Sequence, residues 1–251
     1  MNDDRRGSDK LDMLIAGHSH FNVIRGAIQK IENDGHKAPF SYRTVGLLEE
    51  TYWPAMHSQG ELVGEFARIL EAGEFRNLVL SVAGNDYNAL GLVNPPEKFD
   101  YVLPSQPELP LDVAARLLPC GVVASELRHL ISYSLMFMQS VRQAVSQPIF
   151  LLAAPPPIPS ADHIWQHGGT FLPEIEKHGV GSAALRYKLW RTQSEFFEMV
   201  ARENDIVVLP PPPEALDPEG MLAEVAWGKD ATHANLWYGE RVLRQIAEAG
   251  L

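Results

Sequence analysis

Short apolar runs alternate with helix-like segments along almost the whole chain, and each apolar run ends at a glycine or a proline. Such runs are typical of buried strands, because glycine and proline interrupt the hydrogen-bond ladder of a sheet. The pattern predicts strands over 11–16, 40–45, 77–83, 148–154 and 206–209. Apolar residues at helical spacing predict helices over 21–31, 58–72, 121–146, 185–200 and 235–248.

Strand and helix alternation of this kind predicts an α/β fold with a parallel sheet and helices on both of its faces. A length of 251 residues fits a single domain. We expect a flexible polar N-terminus over 1–10 and one domain over 11–251. No regular element is predicted for the proline-rich stretch 91–112, nor for the stretch that leads up to residue 180.

Composition limits the classes of partner and the cellular location. The net charge of −11 opposes binding to nucleic acid or to an anionic membrane surface. Cys120 is the only cysteine, so an intrachain disulfide is impossible and a thiolate metal site is not expected. The N-terminal segment lacks a secretory pattern, and no apolar run reaches the roughly 20 residues needed to cross a bilayer. These features predict a soluble, cytoplasmic protein.

Three polar clusters lie where the predicted strands end or the last helix begins: residues 17–20, 84–86 and 230–233. In parallel sheets, ligands bind beyond the carboxyl ends of the strands. Each cluster also has a purely structural interpretation. A serine or an aspartate at a helix start can be an N-cap, and Gly-Asn-Asp is a common turn composition. Their combination favours a functional interpretation.

The chemistry of these clusters is complementary. Ser19 follows a strand and precedes a helix, where nearby amides can face a developing oxyanion. The side-chain amide of Asn85 can donate to the same oxyanion. Asp230 and His233 are three positions apart, so the carboxylate can orient the imidazole and stabilise its charged form. His20 is expected at a surface position in the first turn of the helix.

Read in chain order, the motifs resemble those of the SGNH (GDSL-like) hydrolase family. Its first block is Gly-Asp-Ser, its third Gly-x-Asn-Asp and its fifth Asp-x-x-His. The corresponding segments here are 17–19, 83–86 and 230–233. The resemblance implies the three-layer α/β/α fold with a parallel, flavodoxin-like sheet. It also implies an esterase or acyl hydrolase that needs no metal or organic cofactor.

The resemblance further implies a role for each site residue. Ser19 would attack an acyl carbonyl, His233 would take its proton and Asp230 would fix the tautomer. The oxyanion hole would comprise the Ser19 N–H, the Asn85 side chain and the amide of a second-block glycine, for which Gly46 is the candidate. The substrate would be an ester of a small molecule or a glycan. The same groups serve acyl transfer, and the oligomeric state stays open.

Two departures from the family pattern stand out. His18 replaces the aspartate that precedes the nucleophile, and the sequence around Gly46 matches the second block poorly. Two alternatives also remain. The Gly-His-Ser-His segment resembles a block of dinuclear metallophosphoesterases, in which histidines bind metal. The chain could also be a non-catalytic, ligand-binding protein of the same fold.

Overall fold

The computed structural model describes residues 10–249, so nearly all of the predicted flexible segment 1–10 lies outside the described residues. The main strands lie close to their predicted positions. They are β1 (Leu11–Gly17), β2 (Tyr42–Gly46), β3 (Phe75–Ser81), β6 (Ile149–Leu152) and β7 (Ile206–Leu209). Two further strands of two residues each, β4 (Phe99–Asp100) and β5 (Arg116–Leu117), pair with each other.

The five main strands form one sheet in the order β2-β1-β3-β6-β7, and every pair is parallel. Counted along the chain, this is the flavodoxin-like order 2-1-3-4-5, whose order reverses between its first and third strands. The predicted α/β/α class and parallel flavodoxin-like sheet are therefore confirmed. The reversal point lies between β1 and β3, which are the strands that precede Ser19 and Asn85.

Helices cover both faces of the sheet. Seven of the α-helices described in residues 10–249 have the following bounds: α1 (Phe21–Asn33), α2 (Gly64–Ala72), α3 (Asn88–Gly91), α4 (Cys120–Leu130), α5 (Ser132–Ala144), α8 (Ala183–Glu203) and α9 (Leu236–Glu248). Helices α1 and α9 pack on one face, against Met13 and Ile15 of β1. Helices α2, α4, α5 and α8 pack on the other face, against Leu14 and Ala16 of β1. Each face therefore has its own apolar core, because successive strand residues point to opposite sides.

Two of the predicted helices need correction. The single helix expected over 121–146 is broken at Ile131, between α4 and α5. The helix expected over 58–72 begins only at Gly64, because Met56 and Leu62 form an antiparallel bridge before it.

The two stretches without predicted elements contain short ones. The first holds the end of α3 and all of β4. The stretch before residue 180 holds α6 (Ala161–Gln166) and α7 (Leu172–His178). Ile164 and Ile175 anchor these two short helices in the core beside α1 and α9. Among residues 10–249, no helix combines the length and the apolar character that a membrane span requires.

Candidate active site

The first and second clusters follow the neighbouring strands β1 and β3, so they lie at the same edge of the sheet. Gly17, the last residue of β1, is in register with Gly46 on β2 and with Ser81 on β3. A Cβ atom on Gly17 would lie 2.6 Å from the carbonyl oxygen of Ser81, so only glycine fits at this close approach. The chain therefore leaves β1 tightly against β3.

The turn that carries Ser19 is held by backbone hydrogen bonds. The N–H of His18 donates to Ser81 O at 3.0 Å, and the N–H of Asn22 donates to Ser19 O at 3.1 Å. The N–H of Ser19 is not among these donors. Helix α1 has His20 as its N-cap and no side-chain cap. The structural interpretation of Ser19 as a capping residue is therefore wrong, and its half-buried hydroxyl is not used for capping.

Asp230 and His233 form the pair that their spacing predicts. His233 Nδ1 lies 3.0 Å from Asp230 Oδ2, and Asp230 Oδ1 accepts the N–H groups of Thr232 and His233, each at 2.8 Å. The hydrogen bond to His233 holds the pKa of Asp230 well below its ordinary value, and the two backbone hydrogen bonds add to this. A charged carboxylate at Nδ1 favours the tautomer with the proton on Nδ1, which leaves Nε2 as an acceptor.

The capping alternative for this segment is also wrong. The N-cap of α9 is Asn235, whose side chain accepts the N–H of Tyr238 at 3.1 Å. The Asp230 carboxylate therefore does not cap α9 and is available for the hydrogen bond with His233 Nδ1. The segment is closed by a hydrogen bond from the N–H of Gly228 to His233 O at 2.8 Å. A Cβ atom on Gly228 would overlap that oxygen, so this glycine permits the closure.

His20 is buried, which corrects its expected surface position. Its side chain packs against that of His233, with ring centroids 4.9 Å apart and ring planes at 56°. Only 7% of the residue is exposed, and neither ring nitrogen has a hydrogen-bond partner in the described part of the chain. Burial, together with the nearby His233, lowers the pKa of His20 from 6.5 to about 3. Its neighbour His18 also has a lowered pKa, caused by burial.

This contact brings the first cluster, residues 17–20, and the third cluster, residues 230–233, together. His20 follows Ser19 directly in the chain, and its ring touches the imidazole that the sequence assigns as base. His233 Nε2 is buried and has no hydrogen-bond partner among residues 10–249, so the last link of the relay, to Ser19 Oγ, is not formed here. Such links are often long in the absence of substrate. The roles of Ser19, Asp230 and His233 stay predictions.

Helix α8 holds the second cluster, residues 84–86, in place, which the sequence did not indicate. Gln193 donates from Nε2 to Gly84 O at 2.7 Å and accepts the N–H of Tyr87 on Oε1 at 2.8 Å. Gln193 is only 1% exposed, so both bonds are made inside the protein. Asn85, between the two clamped residues, is half-buried. A glutamine within a helix carries no sequence signal for this role.

Asp86 lies close to Gly84 and packs on the backbone of its own turn. A Cβ atom on Gly84 would lie 2.7 Å from Asp86 Oδ2, so the side chain folds back over the glycine. Burial raises the pKa of Asp86 above its ordinary value.

Gly46 lies beside Gly17, but a carboxylate lies close to it. A Cβ atom on Gly46 would be 2.5 Å from Glu49 Oε1, and Glu49 is itself paired with Arg25 of α1. A carboxylate opposes a developing negative charge, and Arg25 reduces that effect. The role of Gly46 in an oxyanion hole therefore stays a prediction.

A further histidine contacts the third cluster, residues 230–233. His163 of α6 lies with Nε2 3.3 Å from Asp230 O, and its ring packs on Trp227 at 5.0 Å. His163 belongs to the stretch before residue 180, for which the sequence predicts no regular element. Within residues 10–249, no three His, Cys, Asp or Glu side chains are arranged to hold one metal ion.

No family model matches the chain, and no curated protein matches it. Solved structures do resemble it. A carbohydrate acetylesterase from Sinorhizobium meliloti is 10% identical with a TM-score of 0.44, and the match covers 95% of this chain and 98% of that one.

Two further solved structures also resemble the chain. A GDSL-like lipase from Bacteroides thetaiotaomicron is 11% identical with a TM-score of 0.40, over 96% of this chain and 89% of the other. The periplasmic domain of a lipopolysaccharide acetyltransferase from Salmonella ser. Paratyphi A is 13% identical with a TM-score of 0.46, over 96% and 83%. The predicted resemblance to GDSL-like proteins reappears in one of these names, that of the lipase. The strand order and the site geometry above come from this chain alone.

Proposed function

We propose that this protein is a serine hydrolase of the SGNH type that cleaves an ester of a small molecule or a glycan. The observation that carries the proposal is the Asp230–His233 hydrogen bond of 3.0 Å, which leaves a buried Nε2 without a partner beside the turn that bears Ser19. A histidine that only capped a helix or lay at the surface would not require a carboxylate at Nδ1 together with a buried Nε2 that has no partner.

In the proposed mechanism, Ser19 Oγ attacks the acyl carbonyl carbon while His233 Nε2 takes its proton. The tetrahedral oxyanion accepts hydrogen bonds from the Ser19 N–H and the Asn85 side-chain amide, with Gly46 as the third candidate donor. The ester C–O bond then breaks, and the alcohol leaves with the proton from His233. Water, activated by the same imidazole, hydrolyses the acyl-enzyme and restores Ser19.

The proposed roles require one protonation state for each member of the pair. Only the neutral imidazole of His233 can accept the serine proton. Asp230 has to be charged to orient that imidazole, and the pKa of its carboxyl lies below the ordinary range because of the hydrogen bond to His233. Activity should therefore not fall through protonation of Asp230 at mildly acidic pH, which a pH profile of kcat measures.

A fluorophosphonate probe tests the proposal. Wild-type protein should gain one covalent label, and Ser19→Ala should gain none. Hydrolysis of p-nitrophenyl acetate should fall by at least about 10³-fold in Ser19→Ala and in His233→Ala. Ser146→Ala, which removes an exposed hydroxyl just after α5, is the matched control and should behave as wild type.

Two outcomes would contradict the proposal. Wild-type hydrolysis by Ser19→Ala would exclude the serine mechanism. A wild-type protein that is neither labelled nor active on any ester would favour the non-catalytic alternative instead.

A further inference from the structure

His20 belongs to the same hydrogen-bonded turn as Ser19. It follows Ser19 directly in the chain, and its backbone carbonyl accepts the N–H of Val23 at 3.3 Å in the first turn of α1. The carbonyl of Ser19 accepts the N–H of Asn22 at 3.1 Å. Because these bonds fix the two residues in one turn, a group that packs against His20 is held relative to Ser19.

The packing of α1 on α9 brings this turn next to the segment that bears His233. A Cβ atom on Gly239 of α9 would lie 2.5 Å from Val23 O and 3.0 Å from the Cβ atom of Ala27, so the two helices approach as closely as a glycine allows. His20 and His233 each precede this contact by less than two helical turns. Both helices are anchored in the same apolar core, which fixes the distance between the two histidines.

The hydrogen bond with Asp230 fixes only part of the orientation of the His233 ring. Nδ1 lies 3.0 Å from Asp230 Oδ2 and 3.2 Å from Thr232 Oγ1. Both contacts are made at one corner of the ring, and the χ2 torsion of histidine is broad, so the ring can still turn about that corner. Nε2, which has to point to Ser19 in the proposed mechanism, lies away from that corner.

The ring of His20 limits this remaining freedom by packing. The centroids of the two imidazole rings lie 4.9 Å apart with their planes at 56°, which is the tilted geometry that aromatic pairs prefer. Only 7% of His20 is exposed, so its ring has little room to move away. Burial, together with the nearby His233, lowers the pKa of His20 to about 3. A neutral His20 does not repel the charge that His233 gains when it takes the serine proton.

We infer that His20 is a positioning residue, whose ring holds the imidazole of His233 in the orientation that directs Nε2 toward Ser19. The inference rests on the proposed function and adds to it a residue that acts on the reaction through His233. Because His20 is buried, its removal should change the orientation of the base and leave the binding of substrate intact. A misplacement of about 1 Å can lower a rate about 10²-fold.

Kinetics of His20 variants on p-nitrophenyl acetate test the inference. His20→Ala should lower kcat about 10- to 100-fold while KM changes by less than about twofold, because the base is misplaced and the substrate still binds. His20→Phe keeps a ring against His233 and should retain kcat within about fivefold of wild type. Ile28→Ala removes a buried side chain from the same face of α1, about two turns further on, and controls for lost packing; it should keep the wild-type kcat. His20→Val, which has no ring but retains an apolar side chain, covers the case in which His20→Ala does not fold and should show the same fall in kcat.

A double-mutant cycle separates positioning from a purely structural role. In the His233→Ala protein there is no imidazole to orient, so the addition of His20→Ala should change the residual rate by less than about twofold. A further loss as large as that in the wild-type background would overturn the inference, since His20 would then act through the fold. A wild-type kcat in His20→Ala would overturn it as well. Both results leave the serine mechanism intact, whereas a wild-type protein without hydrolysis and without fluorophosphonate labelling would overturn the proposed function and this inference with it.

Discussion

The carboxylate of Asp230 makes four hydrogen bonds within its own short segment: it accepts two from backbone N–H groups and one from the Thr232 hydroxyl, and one joins it to the imidazole of His233. The backbone bonds fix the carboxylate, and the bond with His233 fixes the tautomer and the position of Nδ1. Asp230 is half-exposed, so water can take over part of this task when the side chain is removed.

We therefore expect Asp230→Ala to lower kcat less than Ser19→Ala does. A loss of roughly 10²- to 10³-fold is expected, because orientation of the base is lost while the base itself remains. Steady-state kinetics on p-nitrophenyl acetate measure this, with the exposed Asp162 of α6 changed to alanine as the control. An Asp230→Ala protein as active as wild type would show that the Asp230–His233 hydrogen bond has no role in catalysis.

His20 makes a separate contribution to pH-dependent stability. Its pKa is about 3 in the folded protein and near 6.5 in the unfolded chain. Between pH 7 and pH 5 the unfolded chain therefore binds a proton that the folded protein does not, so stability falls as pH falls. The expected loss at pH 5 is about 2 kcal/mol.

Urea unfolding of wild type and His20→Phe at pH 7 and pH 5 measures this effect. The free energy of unfolding should fall less on acidification in His20→Phe, by about 2 kcal/mol. His18, His233 and Asp230 lie near His20 and are retained in both proteins. His129→Phe, at an exposed position of α4, should keep the wild-type dependence. Equal pH dependence in His20→Phe and wild type would show that His20 is not held neutral by the fold.

At the scale of the element, α8 positions the loop that carries Asn85. Gln193 is the only contact described above that binds this loop on both sides of Asn85, at Gly84 and at Tyr87. Gln193→Leu leaves both backbone groups buried without a partner. We expect it to lower the free energy of unfolding by about 2–4 kcal/mol. We also expect a lower kcat with little change in KM, since Asn85 is proposed to act on the oxyanion.

The variant Gln193→Glu separates the two bonds. It keeps an acceptor for the Tyr87 N–H and removes only the donor to Gly84 O. Its kcat should lie between those of wild type and Gln193→Leu. A Gln193→Leu protein that is destabilised but has wild-type kcat would limit α8 to a structural role.

The break between α4 and α5 shows how element boundaries can escape sequence patterns. Val123, Leu127, Ile131 and Leu135 keep helical spacing across it, and all four are buried. Neither glycine nor proline marks the break. Ser132 donates from Oγ to His129 O at 2.8 Å, a local bond that competes with the helical ladder. The apolar periodicity determines which face packs on the core, whereas local bonds decide where the helix stops.

At the scale of the whole molecule, one buried ion pair joins distant parts of the chain. Lys188 of α8 is fully buried, and its Nζ donates to Asp100 Oδ1 at 2.6 Å and to Pro110 O at 2.9 Å. The pair thus ties the proline-rich stretch 91–112, for which the sequence predicts no regular element, to the longest helix described.

Lys188→Met removes one partner and leaves a buried carboxylate without its counter-charge. We expect a loss of about 3–5 kcal/mol in the free energy of unfolding. The double variant Lys188→Met/Asp100→Leu should recover part of this loss, because no unpaired charge remains. Urea unfolding of the two proteins measures the difference. A single variant as stable as wild type would show that the pair does not hold the stretch in place.

The sequence by itself determined the class of fold, because glycine and proline after each apolar run mark where strands end and helices begin. It also placed Ser19 and Asn85 after strands β1 and β3, and it predicted the contact between Asp230 and His233. That contact is local, three positions apart, and local geometry is encoded in spacing.

Contacts between residues that are far apart in the chain were decided only by the tertiary structure. The burial of His20 against His233 and the clamp of Gln193 on the Asn85 loop each join residues that are far apart in the chain. Such contacts depend on how helices pack on the sheet, and no spacing within one segment records that packing. The sequence thus determines which candidate site residues follow which strands, whereas the packing of the helices on the sheet determines which side chains surround them.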